Sequence, residues 1–347
     1  MFATFAAMIE FQVKQKDTGP NTFNFALATL RIVFMGTPEF AVASLDALVK
    51  AGYTIAGVVT APDKPAGRGM KMNESAVKKY AVEKGLKVLQ PEKLKNPEFL
   101  EELKSLHADL QIVVAFRMLP EVVWNMPRLG TINLHGSLLP QYRGAAPINW
   151  AVINGEKETG VTTFKLKQEI DTGDILLQEN FPIGENETAG EVHDKMKEIG
   201  AQVLVKTVKG IAEGMLTEKP QLAIGNKQLA NTEHSLKHAP KIFTETCKID
   251  FTKTVEEVHN LVRGLSPFPG AFTYLNDKML KIYRSEKEVS SNTSKGGASG
   301  SFETDGKTFL KFACNNGCIL VKELQAEGKK KMTIEEFLRG YRFTSNQ

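Results

Sequence analysis

RIVFMGTPEFAVASLDALVKAGYTIAGVVT, residues 31–60, decides the architecture of the first part of this chain. RIVFMG is a short continuous apolar run, the pattern of a strand buried on both faces of a parallel sheet. Thr37 can cap the helix that follows, with Pro38 in its first turn. Ala41, Leu45 and Leu48 recur at helical spacing and line one face, and Gly52 marks the stop. YTIAGVVT then reads as a second strand. A glycine turn after the first strand invites a dinucleotide reading, but that fingerprint needs three glycines. Here only Gly36 stands in place, and Pro38 removes an amide, so the turn is structural.

The alternation continues outward. A helix capped by Asn73 ends near Gly85, LKVLQ is a strand, Asn96-Pro97 opens a helix with Phe99, Leu103 and Leu106 inward, and DLQIVVAF and GTINLHG are further strands. Strands separated by helices of this length imply a parallel sheet with right-handed crossovers. Residues 31–215 are therefore expected to form an α/β domain with a doubly wound, mostly parallel sheet. Within it APINWAVINGE is a helix, TGVTTFKL and DILLQENFPI are strands, and the capping box Thr188-Ala-Gly-Glu191 opens a long helix to about Gly214. TEKPQLAIGNKQLANTEH is polar and aperiodic, so 216–235 is read as a linker passing over the surface. From 236 to 347 the texture changes to short strands around one helix at Val255 to Leu265. Hairpin turns are expected at Asn276-Asp277 and Asn316-Gly317, a polar loop at SSNTSKGGASG, and a final short helix capped by Thr333. This second unit reads as a small OB-like β-barrel.

In the full sequence of 347 residues, the 42% hydrophobic and 24% charged contents are ordinary globular values. No apolar run approaches the roughly 20 residues of a membrane helix. The net charge of +4 is unevenly placed: from Ser235 onward there are 18 Lys and Arg against 13 Asp and Glu, and before it 26 against 27. A basic surplus confined to one domain is a modest footprint for a polyanion. Cys247, Cys314 and Cys318 are too few and scattered for a disulfide framework, and no His pair accompanies them, so no metal site is expected and a reducing, cytoplasmic setting fits. Residues 1–30 lack the basic start and long apolar core of a signal peptide and the Arg richness of a transit peptide. They are read as a dispensable extension, expected to be disordered.

Three stretches carry chemistry. In TINLHGSLLPQYRG, residues 131–144, Asn133 and His135 stand two places apart on a strand, so both project from one face. Gly136 and Pro140 end that strand, which places the pair at a carboxyl edge, where open α/β sheets bind ligands; a hydrogen-bonded core Asn and His would share the pattern. In EIDTGD, Asp171 and Asp174 suit a β-turn, yet the topology lets Asp171 approach His135. A carboxylate near an imidazole favours its cationic form. Asn and charged His would donate to a developing oxyanion while Asp manages a proton, an arrangement suited to direct acyl transfer. TAPDKPAGRGMKM, residues 60–72, is a long loop carrying Lys64, Arg68 and Lys71, either an ordinary solvated loop or a basic clamp on phosphate.

HGSLLPQYRGAAPI, FMGTPEFAV, APDKPAGRG and IDTGD, in this order and spacing, resemble the methionyl-tRNA formyltransferase branch of the folate-dependent formyltransferases. The resemblance spans residue 31 to the C-terminus, densest up to about 215, with KID and PFPGAF as its later marks. It implies transfer of a formyl group from 10-formyltetrahydrofolate to the α-amino group of methionyl initiator tRNA, in support of translation initiation. It further implies Asn133, His135 and Asp171 as the catalytic trio, Ser137, Leu138, Leu139 and Pro140 as the segment near the folate donor, and Phe116 on the pterin wall. Arg68, Lys71, Lys64 and Arg143 would meet the tRNA, and the C-terminal barrel would hold its body. At 113–120 this chain has VVAFRMLP, a departure from the family's VVAYG. Two rivals remain at this stage, a formyltransferase acting on a small amine and a non-catalytic RNA-binding protein on the same scaffold.

Overall fold

The computed structural model describes residues 29–66, 71–221, 236–289 and 298–341. Most of the expected N-terminal extension, Arg68 of the basic loop, most of the linker and part of SSNTSKGGASG lie outside the described residues. Leu30, assigned to the extension from sequence, is fully buried and belongs to the first core.

The first domain runs β1 (Arg31–Gly36), α1 (Glu39–Lys50), β2 (Thr54–Val59), β3 (Lys64–Ala66), β4 (Lys71–Asn73), α2 (Ala76–Glu83), β5 (Val88–Leu89), α3 (Pro97–Ser105), β6 (Leu110–Val114), α4 (Glu121–Trp124), β7 (Thr131–His135), β8 (Arg143–Gly144), α5 (Pro147–Ile153), β9 (Glu158–Lys165), β10 (Ile175–Pro182) and α6 (Ala189–Ala212). Seven strands make one sheet in the order β10-β9-β7-β6-β1-β2-β5. Its pairings are parallel from β7 to β5, and β9 and β10 add an antiparallel edge.

Strand periodicity sends alternate residues to opposite cores. Ile32 and Phe34 of β1, Ile112 and Val114 of β6 and Ile132 and Leu134 of β7 pack with α1, α2 and α6. Val33, Met35 and Val113 pack on the other face with Phe99 and Leu103 of α3 and Val123 of α4. Burying each such side chain contributes about 1.5–3 kcal/mol. Asn133 and His135 therefore lie on the α3–α4 face, where the covering helix α4 is a single turn.

Several local expectations are corrected. The N-cap of α1 is Pro38, with no side-chain cap, so Thr37 does not serve. Asn73 pairs with Lys64 in a hairpin of β3 and β4, and Ser75 caps α2 through its Oγ. The expected long loop is therefore partly a two-stranded arm. The capping box at Thr188 and Glu191 forms as read.

The second unit comprises β11 (His238–Ala239), α7 (Val255–Gly264), β12 (Ala271–Leu275), β13 (Lys278–Val289), β14 (Phe302–Thr304), β15 (Leu310–Cys314), β16 (Gly317–Ala326), β17 (Met332–Thr333) and α8 (Ile334–Gly340). Its antiparallel sheet has the order β12-β13-β16-β15-β14, with β17 on β16. Among the described residues no ladder joins β12 to β14, so the expected small barrel is a half-barrel, with Val258 and Val262 of α7 buried among its inward residues. Asn276 and Asp277, at φ 50° and 59°, make the expected turn of left-handed residues. The second hairpin instead turns on Asn315-Asn316, because Cys314 stands opposite Gly317. A Cβ on Gly317 would lie 2.2 Å from the Glu288 carbonyl oxygen, so that glycine serves the close approach of β13.

The two units meet closely. β11 pairs with β8, Asn149 Nδ2 donates to the Gly264 carbonyl at 2.8 Å, and buried Arg263 donates to the Glu187 carbonyl at 3.1 Å. At this seam His259 is 1% exposed, with Nδ1 3.0 Å from Ser285 Oγ. Burial pushes its pKa below the ordinary value; Lys287 and Arg263 add to this and Glu256 opposes it. The folded state thus prefers the neutral ring. Stability from this residue is complete above the unfolded-chain value of about 6.5, and it is lost as the pH falls below that, because only the unfolded chain then takes up the proton. Thermal melts should show Tm declining from about pH 6.5 towards 5, with His259→Gln flattening that slope.

Candidate active site at the carboxyl edge of the sheet

From β1 the chain moves to β2 on one side, whereas β6 lies on β1's other side and leads to β7. The crevice at the carboxyl ends of β1 and β6 is thus a topological switch point, the place where open α/β sheets take ligands. A cavity of about 760 Å³ opens there, lined by Phe116, Met118, Trp124, Asn133, His135 and Asp171 among others. Ligand sites of about 300–1,000 Å³ are typical for small organic molecules.

The i, i+2 spacing on β7 puts Asn133 and His135 side by side on the cavity wall. The Asn133 side chain is half-buried and forms no hydrogen bond with the described residues, so its amide is free to meet a ligand. His135 is 8% exposed, and its Nε2 lies 3.0 Å from the Tyr142 carbonyl oxygen. That oxygen can only accept, so Nε2 carries the hydrogen and, in the neutral ring, Nδ1 keeps its lone pair. Asp171 Oδ2 stands 3.9 Å from Nδ1 and accepts from the Gly144 N–H at 3.1 Å.

Asp171 sits in the turn between β9 and β10, at φ 54°. This left-handed turn reverses the chain tightly, with Gly173 so close to β9 that a Cβ would lie 1.5 Å from the Lys165 carbonyl oxygen. Asp174 serves the turn instead, pairing with Lys167 at 2.8 Å.

The remaining expected residues divide. Phe116 lines the cavity, with the Arg117 guanidinium 5.5 Å from its ring centroid and bonded to the Pro91 and Glu92 carbonyls. Ser137, Leu138, Leu139 and Pro140 leave β7 in a turn that does not line the cavity. Ser137 Oγ donates to Gln141, and Leu139 is buried against Phe164 and Ile175, with its N–H donating to Thr162 Oγ1 at 3.1 Å. Lys64 is exposed on the β3–β4 arm, and Lys71 is the first residue of its second strand. Arg143, expected to meet the tRNA, is instead engaged within the chain. It is 7% exposed and gives Nε and Nη2 to Gln221 Oε1 at 3.1 and 2.5 Å.

Three contributors escaped the sequence reading. Tyr142 supplies the carbonyl that orients His135, and its hydroxyl, raised in pKa by burial and by its bond to Glu156, stays a donor. Gly144 presents the N–H that holds Asp171 while pressed against β11, where a Cβ would meet the Ala239 oxygen at 2.4 Å. Gln221 binds the turn that carries Asp171. Only the glycine of YRG left a local signal. Among the described residues no group of three or more His, Cys, Asp or Glu is arranged to hold a metal ion.

A doubly wound domain with this amide, imidazole and carboxylate at its carboxyl edge, followed by a half-barrel, defines a formyl transferase. Residues 30–208 match the family model described as formyl transferase, and 241–342 match the formyl transferase C-terminal domain. The methionyl-tRNA formyltransferase of Bacteroides fragilis is 52% identical over 322 residues, 91% of this chain and 96% of that protein. The methionyl-tRNA formyltransferase of Phocaeicola vulgatus is 54% identical over 91% of this chain and 97% of its own. The chain belongs to the methionyl-tRNA formyltransferase family. Among solved structures, an N-formyltransferase from Helicobacter canadensis, bound to folinic acid and dTDP-3-aminofucose, superimposes with a TM-score of 0.61 at 22% identity, over 88% of this chain and all of that one. HypX from Aquifex aeolicus, in complex with tetrahydrofolic acid, gives 0.59 at 17% identity over 90% of this chain and 48% of its own. At these identities both share the fold.

Proposed function

We propose that Asn133, His135 and Asp171 carry formyl transfer from 10-formyltetrahydrofolate to the α-amino group of methionine on initiator tRNA, the step that readies this tRNA for translation initiation. The observation that carries this reading is the convergence of the three side chains on one cavity, with Asp171 Oδ2 3.9 Å from His135 Nδ1.

The amine nitrogen attacks the formyl carbon, a C–N bond forms, and the carbonyl π electrons move to oxygen. Asn133 Nδ2–H and protonated His135 Nδ1–H supply donors for that oxyanion. Collapse re-forms the carbonyl and breaks the bond from the formyl carbon to the folate nitrogen. Asp171 takes the proton shed by the attacking amine and returns it, through water, to the leaving nitrogen. Phe116, Met118, Leu119 and Trp124 give the cavity an apolar lining suited to an aromatic donor, alongside polar groups able to orient it.

Exposed Lys64 on the β3–β4 arm supports a contact with the tRNA acceptor end, and Lys71 and Arg68 belong to the same proposed surface. The basic surplus after Ser235 supports a role for the half-barrel in holding the tRNA body. Among the described residues no helix is long and apolar enough to cross a membrane. A cytoplasmic setting is part of this proposal. The test is incorporation of labelled formyl into charged initiator tRNA, compared with free methionine and with an amino sugar. Transfer to the charged tRNA at least tenfold faster than to either small amine is expected, at the roughly 1.4 kcal/mol that a factor of ten represents; equal or faster transfer to a small amine would refute the tRNA assignment.

A further inference from the structure

The chain leaving α6 crosses back over the catalytic turn before entering the connecting segment. Lys219 exchanges two backbone hydrogen bonds with Ile175, and Lys165 pairs with Glu218. Gln221 follows, and both polar atoms of its side chain are engaged. Nε2 donates to the carbonyl oxygens of Asp171 at 3.0 Å and Gly173 at 2.7 Å, and Oε1 accepts both bonds from Arg143. The arrangement admits one amide orientation, since carbonyls cannot donate and a guanidinium cannot accept.

A non-glycine residue at Asp171's φ of 54° persists only where its surroundings hold it. Gln221 holds two carbonyls of this turn, those of Asp171 and Gly173. We propose that Gln221 is a positioning residue for formyl transfer, fixing through the main chain of residues 171–173 the approach of Asp171 Oδ2 to His135 Nδ1 and to the Gly144 N–H. Gln221 acts only through Asp171, and the proposal rests on the role given to Asp171 above. A second consequence follows from Arg143, whose buried guanidinium lies in the field of Asp171 and Glu169. Gln221 Oε1 occupies that cation, and without it Arg143 is free to draw the Asp171 carboxylate from the imidazole.

Two variants of the full chain separate this from a purely structural role. Gln221→Glu keeps an oxygen for Arg143 and sets an acceptor against two carbonyls. Gln221→Met keeps length and removes every polar contact. Single-turnover formylation of initiator methionyl-tRNA is measured for each, alone and combined with Asp171→Asn, with melting curves to establish that the proteins are folded. Displacing a catalytic group by about 1 Å costs on the order of 100-fold, so each variant is expected to lose about 10- to 100-fold in rate, with either KM changed by less than about threefold. In the Asp171→Asn background the further loss is expected to stay under about threefold, because residues acting as one unit are not additive. Equal losses in both backgrounds, or a loss confined to KM, would overturn the role of Gln221 while leaving the site intact. Wild-type rates in Asp171→Asn alone would overturn the reading of the site itself, and this proposal with it. Should one Gln221 variant fail to fold, the other supplies the same comparison.

Discussion

Asp171→Asn should slow formyl transfer by about 10²- to 10⁴-fold, the span that positioned acid–base groups contribute. The substitution retains an oxygen that can accept the Gly144 N–H now given to Oδ2 at 3.1 Å, so the turn keeps its anchor. Gln221 binds main-chain carbonyls of the turn and is untouched by the change. What disappears is the negative charge 3.9 Å from His135 Nδ1 and the only site on that side chain able to take a proton. A stability cost of about 1 kcal/mol or less would move Tm by no more than about 4 °C in a chain of this length. Rate and Tm measured on one preparation decide the matter: activity within threefold of wild type removes Asp171 from the chemistry, and a collapsed Tm shows that it was structural.

Removal of an oxyanion donor is the second large effect. Asn133→Ala should lower kcat by about 10²- to 10³-fold, equivalent to about 2.7–4 kcal/mol of transition-state stabilisation. The side chain is half-buried on a central strand and holds no described neighbour, so shortening it leaves no orphaned partner. The loss should appear in kcat, with KM for the folate donor little altered, since the proposed reading gives donor binding mainly to the apolar residues Phe116 and Trp124 that line the cavity. Asn133→Asp is a sharper control: it preserves shape but replaces the N–H donor with an acceptor beside the developing negative charge, and it should be at least as slow. Steady-state kinetics on the pair distinguish a donor from a packing residue, because a packing role would spare the Asp variant.

Much of the first domain was legible because its signals are local and periodic. Apolar runs and helical spacing located nearly every core element, and Thr188 completes its capping box at the start of α6, as Thr333 caps α8 in the second unit. Errors arose where a local signal was overridden by a pairing partner. Asn73, a plausible cap, was claimed by the β3–β4 ladder, and Asn316 accepts from the Val255 N–H of α7 through its Oδ1 while Gly317 is used for strand contact. Arg143, which the resemblance placed against the tRNA, is buried and bonded to Gln221 of the connecting segment, a pairing that no local pattern announces.

From residue types and spacing alone came the doubly wound sheet, the antiparallel second unit and the neighbouring placement of Asn133 and His135, because strand and helix periods are properties of consecutive residues. Tertiary structure alone decided that Asp171 faces His135, that the Tyr142 carbonyl fixes the hydrogen of that imidazole on Nε2, and that Gln221 clasps the turn carrying Asp171. These contacts join turns and connecting segments whose polar composition is that of any solvated loop. Their geometry exists only once the sheet has set the distances between them.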